Sequence, residues 1–169
     1  MAMRARRLVT LAALYFLGAR LGLYMEIPGT SATPVWPPAG IAVLALSAWG
    51  LGYWPGVWLG AWMANYSWTG ASWASAWTAV IIACGNTTEG VVVTHGLRRY
   101  STRAGRLCAV VIGCAIAATV GPIAVHRLHA FQDPPWVAAV AWFVGDVGGI
   151  VAARLLRFFW RIRDVTVHT

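Results

Sequence analysis

Four side chains lie inside apolar stretches that have little use for them: Arg20, Asn86, Glu89 and Asp146. An ionisable group at the centre of a hydrocarbon layer costs about 2.5 to 3.5 kcal/mol on insertion scales, so each is expected to face a bundle interior with a partner. Asn86 and Glu89 are three residues apart and share a helix face. With about 1.5 Å of rise per residue, Glu89 and Asp146 reach similar depths, and Arg20 lies nearer the outer end of its own run. We therefore expect a buried cluster of Asn86, Glu89 and Asp146, with Arg20 reaching towards Asp146 from above. If the carboxylates approach each other without the arginine, they would share a proton at neutral pH. The chemistry open to such a cluster is ligand sensing or proton coupling. Its plainer role is an interhelical polar contact that only fixes packing.

Other chemistry is harder to build. The 13 basic residues are all arginine; without lysine there is no retinal or pyridoxal Schiff base and no GK[ST] phosphate loop. No Ser-His-Asp arrangement with an elbow, no HExxH and no Gly-rich nucleotide loop occurs, so the chain is not expected to be an enzyme. His126 and His129 have no further ligand nearby in sequence, and His95 stands alone as an axial ligand, so no metal is expected. Cys84, Cys108 and Cys114 lack metal-ligand spacing and read as small core residues.

The elements that must position the cluster follow from composition. Apolar residues make up 59% of the chain and charged residues 11%, proportions that suit a bilayer rather than water. A crossing needs about 17 to 25 residues, and apolar runs fall at roughly 8–25, 38–53, 54–69, 74–96, 107–125 and 135–156. The second and third are short and joined by Gly52-Tyr53-Trp54-Pro55-Gly56, so they could form a hairpin that fails to cross fully. The expected architecture is an all-α polytopic bundle of about six spans, one domain over 1–169. Arg4, Arg6 and Arg7 before the first run resemble the charged start of a signal peptide, but the apolar stretch is too long and TSAT is a poor cleavage site. An inside amino terminus with six crossings puts eleven of the thirteen arginines inside, with Arg127 outside and Arg20 within a span. Both termini are thus expected in the cytoplasm. The net charge of +8 then reflects topogenic arginines facing anionic lipid, and no nucleic-acid partner is expected.

Trp36, Trp54, Trp68, Trp73, Trp136 and Trp160 fall near proposed span ends, where an amphipathic ring prefers to sit. Trp49, Trp58, Trp62, Trp77 and Trp142 lie deeper and are expected to pack between helices, or to line a bound lipid, quinone or pigment. No other cofactor is evident. In ATPVWPPAGIAVL, Pro34, Pro37 and Pro38 hold residues 32–38 extended before a helix that tolerates Pro38 in its first turn. That stretch reads as a rigid outer-face lead into the second span, or as a loop facing a ligand. Small-xxx-small spacings at Gly18/Gly22, Gly52/Gly56, Gly56/Gly60 and Gly145/Gly149 allow close helix approach.

Four blocks, ATPVWPPAGIAVLAL, YWPGVWLGAWMAN, GNTTEGVVVTHGLRR and WFVGDVGGIVAARLL, occur in an order and spacing that resembles the type-one membrane-associated sensor domain, the MASE family. The resemblance spans about residues 8–157, with a short basic tail over 158–169. It implies an integral sensory module of the bacterial cytoplasmic membrane, of the kind that precedes histidine kinase, diguanylate cyclase or phosphodiesterase domains. It also implies that Trp36, Pro37, Pro38, Trp54, Pro55, Gly56, Asn65, Asn86, Glu89, Gly145 and Asp146 fill motif positions. Family members usually continue through further spans into an output domain, whereas this sequence stops after its tail, and the proline that often follows the GD block is replaced by Ala152-Ala153-Arg154. The expected action is therefore through a separate membrane or signalling protein, as a monomer or homo-oligomer. The other reading is a structural accessory subunit of a large respiratory or photosynthetic complex.

Overall fold

The computed structural model describes residues 2–26, 33–69, 72–126 and 134–167, with side chains except at 68, 69 and 159–167. These residues form six helices and no strand: α1 (Ala2–Tyr24), α2 (Pro37–Trp49), α3 (Trp54–Thr69), α4 (Trp73–Arg99), α5 (Arg103–His126) and α6 (Pro135–Val167). Each coincides with one of the six apolar runs. By length and composition α1, α4, α5 and residues 135–158 of α6 are candidate membrane spans. The 13 residues of α2 and 16 of α3 rise only about 20 and 24 Å, short of a hydrocarbon core of about 30 Å.

The ends of these helices have local causes. Pro37 and Pro38 occupy the first turn of α2, where a missing N–H costs nothing, and Trp36 before them is extended. Ser72 caps α4 by accepting from the Ser75 amide at 3.1 Å. Gly50, at φ +112°, ends α2 in a conformation that only glycine adopts readily, and a 3₁₀ turn over Leu51–Tyr53 leads into α3. Arg98, at the far end of α4, donates from Nη2 to the Leu46 and Ser47 carbonyls at 2.9 Å each. Both are last-turn carbonyls of α2, where helical partners run out; that of Leu46 also accepts from the Gly50 amide at 3.0 Å. Arg98→Ala is expected to lower stability in detergent by about 1–3 kcal/mol. Arg99→Ala, at an exposed neighbour, is expected to stay within about 0.5 kcal/mol; thermal unfolding followed by circular dichroism compares the two.

The six helices close a ring in the spatial order α1, α3, α4, α5, α6, α2, with α2 and α4 also touching across it. Glycines set the close approaches and reveal the directions. Gly56 and Gly60 of α3 abut Leu8, Ala12 and Tyr15 of α1, so these helices run parallel. Gly18 and Gly22 face Ile41 and Trp36, and the Arg7 guanidinium lies 5.8 Å from the Trp49 ring centre, so α2 runs back along α1. Gly96 meets Ala109 and Gly85 meets Val120, turning α5 against α4. Gly40 meets Gly149 and Ala153, making α6 parallel to α2. Successive helices therefore alternate, and Arg4, Arg6, Arg7, Arg98, Arg99, Arg103, Arg106, Arg154 and Arg157 gather at one end of the bundle.

Small residues point inward and large ones outward, the reverse of a water-soluble helix. On α1, Leu11, Ala12, Tyr15, Gly18, Ala19 and Gly22 are buried, while Leu14, Leu17 and Leu21 are exposed. Ile81, Ile112 and Val144 are exposed on other helices. Such an outer surface fits lipid, and the chain is an integral membrane protein. Some expectations fail on this inside-out pattern. Trp77 is 67% exposed rather than packed between helices, and of the three cysteines only Cys114 is in the core. Gly52 has nothing within 4 Å of its Cβ position, so the Gly52/Gly56 spacing is not a seam. Trp36 does stand at a helix end, as expected, but with its ring half-buried against Gly22.

Candidate functional site

The Pro-rich stretch and the GDVGG block form one joint. Residues 33–36 cross α6 as non-helical chain, bent at Pro34 and extended at Trp36, and the Trp36 amide donates to the Gly145 carbonyl at 2.8 Å. A Cβ on Gly145 would lie 2.6 Å from the Thr33 carbonyl oxygen, one on Gly148 3.0 Å from that of Pro34, and one on Gly149 would overlap that of Trp36. Three glycines spaced i, i+3 and i+4 thus make a bare track on α6 on which another backbone lies. Because α2 begins only at Pro37, this non-helical segment takes its place in the ring at the end opposite the arginines.

Beneath the segment is a cavity of about 50 Å³, room for a few water molecules. Trp36 and Thr33 border it with Leu23 and Glu26 from the end of α1, Asn65 from α3, Ile82 and Asn86 from α4, and Trp142, Gly145 and Asp146 from α6. Asn65 is tied back to its own helix, its Nδ2 donating to the Ala61 carbonyl at 2.8 Å. Trp142 packs on Ile82, Ala124 and Val125, its ring filling the space left by Gly121. Burial at the rim raises the Glu26 carboxyl above its ordinary value.

Asp146 is 4% exposed and Glu89, one turn deeper on α4 than Asn86, is 2% exposed. The two carboxyls interact electrostatically with each other. Cys114 of α5 donates its thiol to Glu89 Oε1 at 3.4 Å, a contact made possible where Gly113 lies against the Glu89 backbone. Tyr15 of α1, 1% exposed, sits beside Asn86 and Trp36 and feels both acids. The expected cluster of Asn86, Glu89 and Asp146 is assembled, drawn from α4 and α6.

Arg20 is not part of it. Its side chain is exposed on α1 and borders neither the cavity nor Asp146 among the described residues. Of the family-motif positions, Trp36, Asn65 and Gly145 border the cavity, and Pro37 and Pro38 start the helix beside it. Trp54, Pro55 and Gly56 lie at the arginine-rich end, where they begin α3 and bring it against α1. Tyr15, Cys114 and the cavity role of Trp142 were missed. Tyr15 carried a usable signal, since it continues the α1 seam through Leu11, Gly18 and Gly22.

Among the described residues no group of three or more His, Cys, Asp or Glu side chains could hold a metal ion. His129 falls outside the described residues, as do Arg127 and the side chains of Trp68 and Trp160. The family model MASE1 matches residues 7–165. No curated protein and no solved structure matches the chain.

Proposed function

The chain belongs to the MASE1 family of membrane-associated sensory domains, and from that premise we propose that it senses at the acid-lined cavity and signals from its arginine-rich end. In this reading the chain crosses the bacterial inner membrane six times, the short α2 and α3 completing their crossings with the segments that flank them. Both termini and the clustered arginines face the cytoplasm, as the bias of arginine towards the inner face requires. The observation that carries the proposal is a pair of buried carboxylates on different helices, Glu89 and Asp146, with no described cation beside them. A buried charge without a partner is costly, so whatever neutralises the pair changes how α4 and α6 sit together. A ligand does this only to the extent that it binds one arrangement better than the other.

The lining selects the ligand class. The carboxyls of Asp146 and Glu26, the side-chain amides of Asn65 and Asn86 and the rings of Trp36 and Trp142 favour a small cation, drawn by charge and by the aromatic rings, with Glu89 one turn beneath Asn86. The partner protein reads the resulting shift at the cytoplasmic ends of α4 and α6. Methylammonium tests the site: added to the protein in nanodiscs, it is expected to change tryptophan fluorescence saturably. Glu89→Gln with Asp146→Asn should abolish that change and preserve the circular dichroism spectrum. A response equal in the double variant, or none in the wild type, would refute the assignment.

A further inference from the structure

At the arginine-rich end a groove wider than the cavity opens between α2, α4 and α6. Leu44, Leu97 and Phe158 give it an apolar wall, and Arg98, Arg154 and Arg157 line it with positive charge. Arg154 and Arg157, three residues apart, share a face of α6. The Arg98 bonds to the Leu46 and Ser47 carbonyls both leave from Nη2, so the Nε and Nη1 donors remain for another acceptor. The described acids, Glu26, Glu89 and Asp146, do not line the groove.

We propose that this groove binds an acidic phospholipid, its phosphate taken by the three guanidiniums and an acyl chain lying along Leu44, Leu97 and Phe158. Guanidinium matches phosphate with paired hydrogen bonds, and basic pockets between membrane helices suit acidic headgroups. A soluble anion would satisfy the arginines but make no use of the apolar wall beside them. The bound lipid would join α2, α4 and α6 at the end from which the bundle signals, although the site itself does not depend on that role.

Native mass spectrometry in mild detergent, with phosphatidylglycerol or phosphatidylcholine added, tests the site. The wild type is expected to retain phosphatidylglycerol preferentially, and Arg154→Gln with Arg157→Gln to weaken retention by roughly tenfold or more. Arg4→Gln with Arg6→Gln removes the same charge from exposed positions at the same end and is expected to leave retention unchanged. Equal loss in both pairs would reduce the effect to general surface charge and overturn the site. So would equal retention of phosphatidylcholine, or displacement by millimolar inorganic phosphate, which would mark a soluble-anion site. If the double variant loses its helical circular dichroism, Arg154→Gln alone is measured; a smaller loss is then expected, and none overturns the proposal.

Discussion

Gly149→Leu is expected to leave no folded protein in the membrane, and Gly149→Ala to lose about 3 kcal/mol or more. A Cβ at this position would overlap the Trp36 carbonyl oxygen and lie 2.7 Å from its carbon. These are backbone atoms, held by the Trp36 amide bond to Gly145 and by the prolines that follow. Overpacking of flexible side chains already costs about 1–3 kcal/mol; here a chain segment must move, and total stability is only about 5–15 kcal/mol. The Gly149 carbonyl also receives Gly40 so closely that a Cβ on Gly40 would overlap it. Gly52→Ala, with nothing within 4 Å, is the control and is expected to be neutral or slightly stabilising. Fluorescence-detected size exclusion after heating separates these outcomes.

Trp142→Ala is expected to cost about 3–5 kcal/mol and to widen the cavity. The indole fills the space beside Gly121 and packs on Ile82, Ala124 and Val125, so its loss empties one wall between α5 and α6. If the cavity is the ligand site, the widened variant should respond to tetramethylammonium at concentrations that leave the wild type unaffected. Trp77→Ala, at a ring 67% exposed on α4, should change stability by less than about 0.5 kcal/mol in detergent. Thermal unfolding and the fluorescence titration measure both effects.

The helices were legible because their ends carry strong punctuation: arginines early in α1 and α5, at the end of α4 and late in α6, prolines at the start of α2, and glycine at its end. The joint between them was not. Pro34 to Pro38 read as a rigid lead-in held extended through Pro38, whereas Pro37 and Pro38 already form the first turn of α2, and Gly145/Gly149 read as a helix seam. Spacing reveals a bare surface but not which segment lies on it. The acid cluster was legible through cost, since buried Glu89 and Asp146 need a shared interior. Arg20 was misplaced because depth was used without azimuth. It lies two residues beyond Gly18, about 200° around the helix, and the Gly18/Gly22 seam already marked the opposite face as the inner one. Trp77 and the two exposed cysteines show the same limit, because lipid tolerates side chains that water would drive inside.

The central claim is that the charge state of the Glu89 and Asp146 pair is felt at the arginine-rich end. Hydrogen exchange of nanodisc-embedded protein, comparing wild type with the Glu89→Gln and Asp146→Asn double variant, tests it without knowledge of the natural signal. The reporters are the Tyr100 and Arg106 amides, which donate to Gly96 and Thr102 at 2.9 and 3.2 Å. The account predicts altered protection at these amides with an unchanged unfolding temperature. Unchanged protection there, or a uniform loss accompanied by lower global stability, would mean that the acids only pack the helices together.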